Sequence, residues 1–128
     1  MLIGLAWLAG EIHHAERFRM KIVGFPFTNV VWDEQTPVIS MGESGTATSR
    51  SARAGDVCLR MVEFSPGYRA DHWCAKGHAV LVLEGSLTTI LDDGSSFLTT
   101  AGQSFLVGDD SGRHLAHTEI GAKVFIVD

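Results

Sequence analysis

Three residues with metal-binding side chains stand within one short stretch of this 128-residue chain: His72, Cys74 and His78, inside Asp71-His72-Trp73-Cys74-Ala75-Lys76-Gly77-His78. A fourth, His114, lies on a later segment. His72 and Cys74 are two positions apart, so in extended backbone both point to one face. Gly77 permits the turn or bulge through which His78 re-enters from the next strand. Imidazole nitrogen and thiolate sulfur are the donors that hold zinc, and imidazole also suits iron, nickel and copper. If Cys74 ligates, the four donors close a tetrahedral site of the structural kind. If it does not, three histidines leave a position open for water or substrate.

Each of these residues also has an ordinary reading. A single histidine is usually a hydrogen-bonded core or surface residue, and His13, His14 and His117 are read that way. Trp73 points away from its neighbours and reads as packing. Cys58 alternates with Arg60, Val62 and Phe64, so it reads as a small core residue. If that face turns inward, Arg60 can meet the carboxylate of a bound ligand. Asp71 is either a partner that orients a histidine or an exposed turn residue. Asp109, Asp110 and Ser111 read as a solvated loop.

The elements that must position these groups are short. Apolar runs at 22–27, 56–64, 78–83, 87–91, 96–99, 104–107, 113–118 and 123–127 are separated by Gly, Asp and Ser clusters. Asp92-Asp93-Gly94 is a strong hairpin signal, because Gly supplies the positive φ of tight turns. The polar stretch 33–53 reads as a long connection with one short strand near 38–41. Strands of this length without a convincing helix after residue 20 predict an all-β sandwich or barrel. Residues 1–19 read as an N-terminal extension holding a short amphipathic helix, and 20–128 as one barrel domain.

The totals agree with one soluble domain. Apolar residues make up 45% of the chain, too many for disorder. The net charge of −5 argues against a nucleic-acid surface. The apolar start lacks a preceding Lys or Arg, is broken by Gly4 and Gly10, and is too short to span a bilayer, so no membrane association is expected. Two cysteines are too few for a disulfide scaffold. They read as reduced thiols of a cytoplasmic protein, with a Cys58–Cys74 bridge as the minor alternative.

The spacing of the donors resembles that of the cupins. Their first motif runs Gly, five residues, His-x-His, three or four residues, Glu, six residues, Gly. Here Gly67 is followed by four residues, His72-Trp73-Cys74, three residues, His78, six residues and Gly85. Their second motif is matched more loosely: Gly102, five residues, Gly108, and His114 one residue past the expected histidine. The resemblance covers 56–127 and is nearest a subgroup of small single-domain cupins with an Asp-His-Trp-Cys signature.

It implies a jelly-roll (double-stranded β-helix) barrel with a divalent metal held by His72, Cys74, His78 and His114. Cys for one histidine and His for the glutamate soften the site toward zinc, with iron or nickel as alternatives. The resemblance also implies a small-molecule ligand, polar or anionic, and leaves three functions open. These are a metal-dependent enzyme, a non-catalytic binding or regulatory protein with a structural metal, and a metal-free barrel with a redox-sensitive Cys74. A homodimer is expected through an edge strand or the apolar segments 2–8 and Val30-Val31-Trp32.

Overall fold

The computed structural model describes residues 22–128, so the expected N-terminal extension and its helix lie outside the described residues. Eight strands follow one 3-10 turn at Trp32–Glu34: β1 (Val38–Met41), β2 (Thr46–Ala54), β3 (Val57–Phe64), β4 (His78–Leu91), β5 (Ser96–Thr100), β6 (Ser104–Val107), β7 (His114–His117) and β8 (Ala122–Val127). All pairings are antiparallel. No α-helix occurs among the described residues.

The two layers share one strand. The first half of β4 pairs with β8 and β6, joining a sheet that runs β1, β2, β3, β8, β4. Its second half pairs with β5 and β7 in the facing sheet. A register shift between Val82 and Glu84 marks the passage from one layer to the other, as bulges do where a strand must bend. Gly85 follows at φ +73°, and a side chain there would strike the backbone carbonyl of Gly121.

The core lies between the layers. Val62 of β3, Val80, Val82 and Leu87 of β4, and Val124 and Ile126 of β8 are buried together with Ala47 and Ala122. Val82 and Val124 are fully enclosed. These positions recur at period two, which places alternate side chains on the inner face. Phe64, Tyr68, Phe105 and Ala116 pack against this cluster.

Three local expectations are corrected. Segment 22–27 is not a strand: Gly24 takes φ +90°, Pro26 cannot donate to a ladder, and Ile22, Val23 and Phe27 are exposed. The polar connection at 33–53 contains, beyond the anticipated β1, the nine-residue β2, which pairs on both sides with β1 and β3. The runs at 78–83 and 87–91 form one continuous strand, β4.

Candidate metal centre

Strand pairing brings the chemistry together. His78 opens β4 and His114 opens β7, and both face the interior between the layers. Cys74 precedes β4 and exchanges both backbone hydrogen bonds with His114, at 2.8 and 2.9 Å. This bridge, with that of Arg69 to His117 and the bond from Ala70 N–H to the Ala116 carbonyl, carries the 69–74 segment alongside β7. Gly77 makes the return possible. A Cβ there would sit 2.6 Å from the Asp109 nitrogen and 2.8 Å from the Val107 oxygen, while the Gly77 N–H donates to Asp109 Oδ1 at 2.7 Å. Asp109 therefore pins the turn rather than simply facing solvent.

The donor atoms of Cys74, His78 and His114 lie within 4.8 Å of one another. Nε2 of His78 and Nε2 of His114 are 2.9 Å apart, with the rings edge to face. His72 lines the same cavity but stands outside this group. Its side chain is largely exposed, and its Nδ1 bonds Asp71 Oδ1 at 2.7 Å. Asp71 thus holds a histidine, one of the two roles open to it. Trp73 is exposed, so the expectation that it packs into the interior is corrected. Neither Cys58 nor Cys74 is in a disulfide, and Cys58 is buried in the interior.

Behind His78 stands a residue that the motif spacing does not reveal. Asp128 Oδ2 lies 3.2 Å from His78 Nδ1 and 2.6 Å from Arg60, and its side chain is 2% exposed. Lys76 Nζ approaches Oδ1 at 3.7 Å. Asp128 continues the inward alternation of Val124 and Ile126, and its backbone N–H and C=O both pair with Cys58. Arg60 does turn inward, but the carboxylate it meets belongs to its own chain.

The electrostatics follow from these contacts. Burial pushes the Asp128 carboxyl upward. The bond and charge of Arg60, with His78 and Lys76, outweigh this and hold it below the usual carboxylate range. Ionised Asp128 can only accept, so His78 Nδ1 carries the proton and its Nε2 presents a lone pair to His114. Burial lowers the pKa of His78 despite Asp128, with Arg60 and Lys76 adding to the effect. Burial and then His78 lower that of His114. Both rings are thus biased toward the neutral form that ligates a metal.

The donor set fits a divalent ion. A carboxylate on the far nitrogen of a ligating histidine fixes its tautomer and raises its basicity, and His78 is oriented in this way. The buried Nδ1 of His114 has no partner among the described residues. Two imidazoles and one thiol are donor types that zinc takes, and an ion held by them would have room for a further ligand. All three residues line a cavity of about 260 Å³, whose polar lining also includes Ser40, Ser49, Arg60, Tyr68 and His72.

No family model matches the chain, and no curated protein matches it. Solved structures do. The polyketide cyclase RemF from Streptomyces resistomycificus aligns with a TM-score of 0.66 at 20% identity, over 80% of this chain and 78% of that one. An RmlC-like cupin from Shewanella frigidimarina gives 0.65 at 17% identity, over 80% and 90%. A predicted oxalate decarboxylase from Thermotoga maritima gives 0.64 at 15%, over 78% and 96%. These likenesses establish the fold as a cupin-type jelly-roll barrel. Similarity to the Asp-His-Trp-Cys subgroup rests on the motif alone.

Proposed function

We propose that this chain is a cupin-fold protein that holds one divalent metal, zinc first and iron or nickel next, through Cys74, His78 and His114. The cavity in front of that site is proposed to receive a small polar or anionic molecule. The convergence of the three donors on one point, with Asp128 orienting His78, carries the reading. A bound ion would supply Lewis-acid or water-activating chemistry at the open position. Around it, Arg60 holds Asp128, and Asp128 holds the His78 tautomer. Ser40, Ser49 and Tyr68 offer hydrogen bonds to a ligand in the cavity. The polyketide cyclase and the predicted oxalate decarboxylase show that this fold is associated with dissimilar reactions, so the reaction is not assigned by analogy.

A structural-metal reading is favoured by one observation. His72 lines the same cavity, and by leaving Asp71 it can become a fourth donor that closes the site. Elemental analysis of untagged protein purified without added metal, beside Cys74→Ser and His72→Ala variants, separates the two. About one metal per chain, lost or weakened in Cys74→Ser and retained in His72→Ala, is the expected result. Loss in His72→Ala would make the site closed and structural. Metal-free protein in every case would overturn the metal reading and leave a bare binding barrel.

We further propose that the chain is a homodimer. Val38, Ile39 and Met41 on the edge strand β1 are all exposed, a surface that monomers seldom leave uncovered.

A further inference from the structure

A second cavity, of about 450 Å³, lies between β5 and β6 beneath the 108–113 loop. Its volume falls in the range of small-molecule sites. Much of its wall is carbon, from Leu91, Phe97, Phe105 and Leu106. Thr89, Phe105 and His114 line both this cavity and the one in front of the metal site, so they form the partition between the two.

Two polar atoms of that partition are buried without a partner among the described residues: His114 Nδ1 and Thr89 Oγ1. Both residues are only 6% exposed. The register pairs Leu91 with His114 and Thr89 with Ala116, so Thr89 and His114 stand diagonally on one face of the β4–β7 ladder. Buried polar groups are nearly always hydrogen-bonded, and two orphans beside one apolar cavity point to an occupant that satisfies them. Asp92 and Asp93 also line the cavity, and the chain carries a net charge of −5, which disfavours an anion.

We propose that this cavity binds a small neutral molecule, mostly apolar, of one or two rings, through a single hydroxyl group placed between His114 Nδ1 and Thr89 Oγ1. The site goes beyond the metal reading, because it uses the opposite nitrogen of His114. A hydroxyl is the group that fits, since it donates as well as accepts. His114 Nδ1 is an acceptor when Nε2–H donates to His78, and Thr89 Oγ1 can donate or accept, so one hydroxyl can bond both atoms at once.

The test uses benzyl alcohol and toluene, which differ by that hydroxyl, titrated into isotopically labelled, chelator-treated protein and followed by NMR. Omitting metal keeps the outcome independent of the metal reading. Benzyl alcohol is expected to bind saturably, to shift the resonances of Phe97, Phe105 and Leu106, and to bind at least about fivefold tighter than toluene, as one hydrogen bond supplies. Thr89→Val should abolish this preference while toluene still binds, and Thr89→Ser should keep it. Absence of saturable binding by either probe would overturn the proposal, as would shifts confined to the cavity in front of Cys74. Equal affinities in the unaltered protein would also overturn it, since water would then satisfy the two atoms.

Discussion

At the scale of single residues, the site depends on one carboxylate behind one histidine. Asp128→Asn preserves shape but removes the charge that fixes the His78 tautomer, and it leaves Arg60 without its ion pair. Metal affinity should fall by about 10–100-fold, as with other lost partners of ligating histidines. Competition titration against a zinc chelator measures this. The histidines also predict a pH response. Folded His78 and His114 titrate below the ordinary value of about 6.5, whereas the unfolded chain takes up their protons near it. Stability of chelator-treated protein should therefore fall as pH drops below about 6.5, levelling off below the two folded values. Asp128, shifted the same way, withdraws its contribution only below about pH 4. Thermal melts between pH 7.5 and 5 check this, and a His78→Gln/His114→Gln variant should flatten the slope. Donor types and spacing pointed to His72, Cys74, His78 and His114, and of these His72 stands outside the cluster, bonded to Asp71. Asp128 was hidden because it is a lone acid fifty positions from His78, visible only once Val124, Ile126 and Asp128 are read as one inward-facing series.

At the scale of elements, β4 positions everything else. Val82, fully enclosed at its middle, should cost about 2–3 kcal/mol when replaced by alanine, measured by denaturant unfolding. Gly85→Ala should cost at least about 2 kcal/mol, because a side chain at positive φ would also strike the Gly121 backbone. Most strands were legible from alternation and turn residues. β2 was not: Thr46–Ala54 is made of Thr, Ser, Arg and Ala, whose side chains give no apolar alternation. It is a strand because both of its edges find partners, and such pairing is long-range information. The 22–27 segment fails in the opposite sense, since its apolar residues meet no ladder.

At the scale of the whole molecule, the barrel leaves the four-residue β1 exposed at every position and paired on one side only, while β2, β3, β4 and β8 are paired on both sides. If β1 meets its counterpart in a second copy, light scattering at micromolar concentration should give twice the chain mass. Ile39→Lys should shift the protein to monomer without loss of metal, since β1 contributes no donor. A monomer mass in the unaltered protein would remove the dimer proposal. Among the described residues no helix is long and apolar enough to cross a membrane. An all-β sandwich or barrel followed from turn spacing and the jelly roll from the cupin resemblance, whereas the sharing of β4 between layers followed from neither, because Glu84-Gly85 reads locally as an ending.

Sharing also sets a hierarchy of opening. His78 sits in a strand flanked on both sides, β8 and β6 first, then β5 and β7. Its amide neighbours should exchange with deuterium only when the whole barrel unfolds. Cys74 is held by its bridge to His114 in a stretch outside the strands, whose other ties are isolated bonds such as Ala70 to Ala116 and Asp110 to Ala75. It can detach in a far smaller, more frequent fluctuation. Three donors that meet at one point thus belong to two classes of lifetime, and any ion they hold should leave by the thiol side first.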